Sequence, residues 1–177
     1  MPFSKLNIAG SGIFSSPVFT DRRGAFEASW EMPDLEKEGI HFHPISACHS
    51  YNPKKGTMRG MHYQSSPHGQ AKLVSCVAGA VYDVFVDLRP GSSTYLKWSA
   101  TELSAGCGKS IYIPAGCAHG FITLTDDTTV AYLIEGNYMP QAAAVLRWND
   151  PAIGIEWPSF TSLIMSDKDR NIPDFII

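Results

Sequence analysis

The sequence predicts an all-β protein, a sandwich or small barrel with little helix. Segments rich in β-branched and aromatic residues recur at intervals of about 8 to 12 residues. Turn-forming stretches separate them, such as Asp-Arg-Arg-Gly at 21–24 and Arg-Pro-Gly-Ser at 89–92. No stretch shows the periodicity of a long helix. The pattern is therefore typical of short strands joined by tight turns.

The strands are predicted in order along the chain as residues 12–19, 25–30, 45–51, 57–64, 71–77, 81–88, 95–103, 110–113, 120–124, 128–135 and 144–148. One short helix is predicted over 32–38, because Pro33 suits a first turn and Gly39 a helix end. Ser166 followed by Asp169 resembles a capping box, which indicates one further helical turn. The 177 residues contain no linker or repeat, so we expect a single domain over 1–177.

Composition and charge exclude several classes of partner. The net charge is −3, so no concentrated basic surface for nucleic acid is expected, although a nucleotide-sized anion still fits. No apolar run is long enough for a membrane span and no signal sequence is visible, so we expect a cytoplasmic protein. The four cysteines lack CxxC spacing and are interpreted as free thiols.

Polar side chains inside the predicted strands are the candidates for chemistry, because burying an unpaired charge is costly. In residues 59–64, period-2 alternation places His62 on one face and Arg59 on the other. Lys72 begins an otherwise apolar strand, and alternation allows an inward Asp83 to pair with it. Tyr132 lies within another strand, where spacing alone favours a core aromatic residue.

A Pro/Gly-rich turn at 113–120 leads into His119. The spacing of Gly108, Pro114, Gly116 and His119 matches the second motif of the cupin superfamily, which implies a double-stranded β-helix, or jelly roll, with one or two short helices. The metal-binding members carry a His-x-His pair, whereas here Gln64 stands two residues after His62. We therefore predict a site without metal or other cofactor, and a metallo-cupin oxygenase is an alternative.

Seven segments, in order over nearly the whole chain, carry a closer resemblance. They are residues 19–27 (FTDRRGAFE), 59–64 (RGMHYQ), 70–74 (QAKLV), 82–89 (YDVFVDLR), 113–121 (IPAGCAHGF), 147–155 (RWNDPAIGI) and 166–169 (SDKD). The chain thereby resembles the nucleotide-sugar 4-keto epimerases typified by dTDP-4-dehydrorhamnose 3,5-epimerase. The resemblance implies inversion at C3, C5 or both of a nucleotide-linked 4-keto-6-deoxyhexose.

The resemblance also implies roles for the residues that match the family's motifs. His62 corresponds to the base and Asp169 to the carboxylate that fixes its tautomer. Lys72 corresponds to the cation facing the enolate oxygen, with His119 nearby. Tyr132 corresponds to the phenol that returns a proton on the opposite face.

A further set of residues is implied in substrate binding. Arg59 and Arg23 would meet the diphosphate, with Arg23 reaching across the interface of a homodimer that exchanges strands. Phe19 and Tyr138 would flank the base. Phe26, in the first matching segment, and the inward Asp83 are assigned to the binding site as well.

The chain departs from the family where the nucleotide and pyrophosphate are contacted. The usual Gln, Asn and Ser before the Arg-Gly motif are Ala47, His49 and Tyr51 here. Since discrimination depends on such buried polar contacts, a CDP-linked sugar is an alternative substrate. A ketoisomerase using related enediolate chemistry and a non-catalytic nucleotide-sugar-binding cupin are further alternatives.

Overall fold

The computed structural model describes residues 1–175, which form two antiparallel sheets and a separate hairpin. The strands are β1 (Phe3–Lys5), β2 (Gly12–Ser15), β3 (Phe19–Asp21), β4 (Gly24–Phe26), β5 (Ser46–Asn52), β6 (Met58–Gln64), β7 (Ala71–Ala78), β8 (Ala80–Asp87), β9 (Trp98–Ser104), β10 (Lys109–Ile113), β11 (Cys117–Thr123), β12 (Thr128–Glu135) and β13 (Ala143–Val145). The helices are α1 (Met32–Lys37), α2 (Asp167–Arg170) and a 3-10 turn (Pro140–Ala142).

The sheets have the topology of a jelly roll. The six-stranded sheet runs β1-β2-β10-β7-β12-β5, and the five-stranded sheet runs β13-β6-β11-β8-β9. Strands that are distant in the chain are thus neighbours in each sheet, whereas β3 and β4 pair only with each other. The predicted all-β, cupin-type fold with two short helices is confirmed.

The core fills the space between the inner faces of the two sheets. Alternate residues of β7, β8, β11 and β12 point inward and are almost fully buried, among them Val74, Phe85, Phe121 and Val130. Burial of side chains of this size contributes about 1.5–3 kcal/mol each. Polar residues that interrupt this apolar alternation therefore stand out as the inner wall of a site.

Several predicted boundaries are wrong at the chain's less regular parts. The strand predicted over 12–19 breaks after Ser15, and the strand predicted over 25–30 extends only over Gly24–Phe26. The predicted strand over 95–103 begins later, at Trp98, because residues 92–97 form hydrogen-bonded turns. The short β1 was not predicted; it exists because it pairs with β2 at the sheet edge.

The Arg-Gly motif of β6 contains a β-bulge, which overturns the predicted alternation. His62 pairs with His119, and Arg59 pairs with Phe121, so three steps on β6 oppose two on β11. The extra residue brings Arg59 and His62 to the same pocket instead of to opposite faces. Gly60 allows this close approach, since a Cβ there would lie 2.5 Å from the Cα of Gly120.

Within residues 1–175, no helix has the length and apolar character needed to cross a bilayer. The cytoplasmic location stays a prediction from the sequence.

Candidate active site

A pocket of about 290 Å³ opens between the two sheets, and five of the predicted site residues meet there. The six-stranded sheet supplies one wall and the five-stranded sheet the other. The lining residues are Cys48, Ser50, Arg59, His62, Gln70, Lys72, His119, Gly120, Phe121, Tyr132 and Ile134. Two cationic groups, two imidazoles and a phenol in one concave site form a surface suited to an anionic, polar ligand.

His62 projects from β6 and is held from behind by Asp169. Its Nε2 lies 2.9 Å from Oδ1 of Asp169; the imidazole side chain is 49% exposed and the carboxylate side chain 7%. Asp169 is placed by α2, whose N-cap Ser166 accepts a hydrogen bond from the Asp169 backbone amide. When the Nε2–H group donates a hydrogen bond to the carboxylate, Nδ1 carries no proton and is the basic nitrogen. The predicted contact between these residues is confirmed.

His119, directly across the ladder from His62, forms a second pair with Asp83. Its Nε2 is 2.8 Å from Oδ2 of Asp83, and both side chains are almost completely buried. Burial lowers the pKa of His119, although the adjacent carboxylate opposes the shift. The His119 ring also packs edge-on against Tyr132, with 6.0 Å between ring centroids. This histidine is a fixed part of the pocket wall.

Lys72 lies where β7 reaches the pocket, in line with the inward Val74. Its Nζ donates a hydrogen bond to the carbonyl of His62 at 3.4 Å. Burial lowers the pKa of Lys72 to about 8, and the charge of Asp83 opposes that shift. Asp83 points inward as predicted, but the structure shows no hydrogen bond between Asp83 and Lys72 within the described residues. The Asp83 carboxylate is hydrogen-bonded to His119, on the neighbouring strand of its own sheet, and it acts on Lys72 through its charge.

Tyr132 both packs against the core and lines the pocket, so the two interpretations of its position are compatible. It pairs with Cys48 of β5 across the ladder, and paired residues share a face. Cys48 and Ser50 consequently line the pocket, whereas Ala47 and His49 are exposed on the opposite face. The family resemblance therefore singled out the wrong face of β5 in this structure.

Arg59 is anchored by a residue that the sequence did not indicate. Its Nε donates to Oδ1 of Asn52 at 2.7 Å, and the amide of Asn52 is completely buried. Gln70 also lines the pocket and donates to the Gly136 carbonyl at 2.9 Å. Gln70 begins the matching segment 70–74, but neither residue was assigned a role from the sequence, and the pairing of distant strands brings both to the site.

Besides Ala47, His49 and Asp83, four predicted binding residues do not line this pocket. Phe19, Arg23 and Phe26 belong to the β3–β4 hairpin, which forms a concavity of its own. Tyr138 lies after β12 and is 68% exposed. The chain by itself therefore does not assemble the full predicted binding set.

Each histidine of the pocket is hydrogen-bonded to one carboxylate, His62 to Asp169 and His119 to Asp83. In the part of the chain that the structure describes, no three His, Cys, Asp or Glu side chains converge as metal ligands do. The metal-free and cofactor-free site stays a prediction.

The jelly-roll fold and this pocket define a cupin-type enzyme whose side chains can donate and accept protons on opposing walls. The pattern that defines the dTDP-4-dehydrorhamnose 3,5-epimerase family matches residues 5–176. The chain therefore belongs to that family, and it is an isomerase of the carbohydrate-acting kind.

Individual relatives agree with this assignment. The dTDP-4-dehydrorhamnose 3,5-epimerase of Sinorhizobium fredii is 40% identical over 173 residues, covering 98% of this chain and 89% of that protein. The crystal structure of the Bacillus anthracis enzyme, with TDP and PPi bound, superposes with a TM-score of 0.92 at 37% identity, covering 98% and 99%. The Legionella pneumophila enzyme in complex with dTDP-4-keto-L-rhamnose gives 0.89 at 34% identity, covering 96% and 89%.

Proposed function

We propose that this protein inverts C3, C5 or both of a dTDP-linked 4-keto-6-deoxyhexose by proton transfer through an enolate. The observation that carries the proposal is the meeting of His62, Lys72 and Tyr132 in one pocket, with Asp169 2.9 Å behind the histidine. Epimerisation beside a ketone requires a base, an opposing acid and a group that stabilises the enolate oxygen. The pocket supplies a residue for each requirement.

In this mechanism, the basic nitrogen of His62 accepts the proton from the carbon next to the C4 ketone. The electron pair of the broken C–H bond forms the enolate, whose negative oxygen is stabilised by the ammonium group of Lys72. Tyr132 then donates its hydroxyl proton to the opposite face of the same carbon, which inverts the centre. Burial raises the pKa of Tyr132, so the phenol is protonated and available as a donor.

The relatives support a dTDP handle. Solved relatives hold TDP or dTDP-4-keto-L-rhamnose. Ala47, His49 and Tyr51 carry part of the sequence argument for a CDP-linked sugar, and none of these three residues lines the pocket. We assign Arg59 to the diphosphate because its guanidinium lies at the pocket wall and is oriented by Asn52.

The test is proton NMR in deuterated water with dTDP- and CDP-linked 4-keto-6-deoxyglucose, each incubated with the enzyme and with the His62→Ala variant. We expect deuterium to enter C3, C5 or both of the dTDP sugar only with the native enzyme. The labelled positions count the inverted centres. Absence of exchange on both substrates would overturn the proposal and favour the ketoisomerase or the binding protein.

We also propose that the enzyme is a homodimer in which the β3–β4 hairpin completes the partner's site. Phe19 and Phe26 face each other in the hairpin and are 63% and 71% exposed, an unusual state for two phenylalanines. Arg23 projects from the same hairpin. A second copy of the chain would bury this aromatic pair and bring the arginine toward a bound anion.

Subunit mixing tests this arrangement. We expect Arg23→Ala and His62→Ala to be separately impaired, and their mixture to recover activity, because one mixed site then contains both native residues. A monomer by light scattering, or no recovery after verified subunit exchange, would contradict the shared site.

A further inference from the structure

A buried hydrogen-bond network connects the two walls of the pocket through Asn52. This residue ends β5, is completely buried and does not line the pocket. Its Oδ1 accepts the hydrogen bond from Nε of Arg59 at 2.7 Å. A second guanidinium nitrogen of Arg59 donates to the Tyr51 carbonyl at 3.4 Å. The guanidinium is thus held against β5 by two contacts.

The other end of the same amide points along β5. Nδ2 of Asn52 donates to the carbonyls of Ser50 at 2.9 Å and Thr128 at 3.2 Å, and the Ser50 hydroxyl oxygen is 3.4 Å away. These acceptors fix the orientation of the amide, with its oxygen toward Arg59 and its nitrogen toward the strands. A carboxylate could not donate here, and a hydrophobic residue would leave buried polar groups unpaired.

Ser50 continues the network to the proposed acid. Ser50 and Tyr132 line the same pocket wall, and the strand register places Ser50 one diagonal step from Tyr132. The nearby Ser50 side chain favours ionisation of the Tyr132 phenol and partly offsets the rise in its pKa that burial causes. Hydrogen bonds therefore run from Arg59 through Asn52 to Ser50, and Ser50 lies in the same pocket wall as Tyr132.

We propose that Asn52 and Ser50 are positioning residues, with Asn52 orienting Arg59 for the diphosphate and Ser50 orienting the Tyr132 hydroxyl for proton return. This inference rests on the proposed function. It extends that function, because one buried amide would orient both Arg59 on the diphosphate-binding wall and, through Ser50, Tyr132 on the proton-donating wall. A hydroxyl that is misoriented by even a fraction of an ångström transfers its proton less efficiently.

The experiment separates proton abstraction from inversion. In deuterated water, a proton removed by His62 and replaced from the same face labels the remaining substrate without inverting it. The ratio of labelled substrate to inverted product therefore reports how well Tyr132 returns its proton. A general loss of folded enzyme lowers both quantities together and leaves the ratio unchanged.

For Ser50→Ala we expect kcat to fall by about tenfold, KM to stay within about twofold, and the ratio of labelled substrate to product to rise by about tenfold. For Asn52→Ala we expect the same rise in the ratio and, in addition, a KM increased by about tenfold because Arg59 loses its anchor. The matched control is Ser75→Ala, which removes a hydroxyl bonded to Ser110 in the same sheet, outside the pocket. We expect the control to keep the native ratio and KM.

An unchanged ratio in Ser50→Ala would overturn the role of Ser50, and an unchanged KM in Asn52→Ala would overturn the role of Asn52. If thermal unfolding shows that Asn52→Ala does not fold, the ratio in Ser50→Ala decides the case. Measurement of the native enzyme separates failure of this inference from failure of the proposed function. A native enzyme that exchanges and inverts the substrate supports the proposed function whatever the two variants do. If it neither exchanges nor inverts the substrate, the proposed function itself fails, and this inference with it.

Discussion

The two histidine–aspartate pairs of the pocket have the same chemical composition and opposite accessibility. His62 and His119 face each other across the β6–β11 ladder, and each has a carboxylate oxygen within 2.9 Å of Nε2. The His62 side chain is 49% exposed and that of His119 is 4% exposed. A histidine that exchanges protons must reach substrate and solvent, so the difference in exposure favours His62 over His119 as the proposed base.

Burial gives the second pair a different use. Desolvation lowers the pKa of His119, which favours the neutral imidazole, and the Asp83 carboxylate acts to raise the pKa of Lys72. Oδ1 of Asp83 is buried without a hydrogen-bond partner, so that oxygen is compensated by charge alone. Under the proposed function, the same residue pair serves proton transfer where it is exposed and tunes the charge of a neighbouring lysine where it is buried.

Among the variants that test the difference between the two pairs, His62→Ala should have the largest effect on activity. We expect the rate of inversion to fall by about 10³-fold, because the base contributes about 10²–10⁴ in such reactions. Product NMR measures the rate, and His43→Ala, which changes an exposed histidine outside the pocket, is the control. A variant that retains a tenth of native activity would contradict the base assignment.

Asp169→Asn keeps the shape of the first pair and removes its charge. We expect kcat to fall by about 10²-fold with little change in KM, because the amide no longer favours the tautomer with the basic nitrogen free or stabilises the protonated ring. Steady-state kinetics measures both constants. Native kcat in this variant would show that the contact at 2.9 Å is dispensable.

The second pair is probed first through the pH dependence of Lys72. Its pKa is lowered to about 8, so the ammonium is present below that pH and is lost above it. We expect kcat/KM to fall as pH rises above 8, by about tenfold per unit in the limit. A Lys72→Met variant should be slow at every pH and lack this limb. A native profile that is flat to pH 10 would contradict the role of the cation.

The smallest expected effect is that of Asp83→Asn. Asp83 raises the pKa of Lys72, so removal of its charge should move the alkaline limb to lower pH and reduce activity at pH 7 by less than about tenfold. The pH profile of kcat/KM checks the direction. A limb that stays in place or moves to higher pH would show that Asp83 does not act on Lys72.

Much of the site could be predicted from the sequence because its residues lie in motifs with regular strand neighbours. Lys72, His119 and Tyr132 interrupt strongly apolar alternation, and such interruptions are visible without coordinates. The contact between His62 and Asp169 spans 107 residues, and it was predicted from family resemblance rather than from spacing.

The remaining features depend on how strands pair. The sequence by itself determined the all-β class, the polar residues inside strands and the family, since these follow from composition, periodicity and motif. Only the tertiary structure decided that a bulge turns Arg59 to the side of His62 and that Cys48 and Ser50 face the pocket. It also decided that Asp83 bonds His119 and that Asn52 holds Arg59. The physical reason is that one extra residue in a ladder reverses every later face, and strand register is fixed by partners far away in the chain.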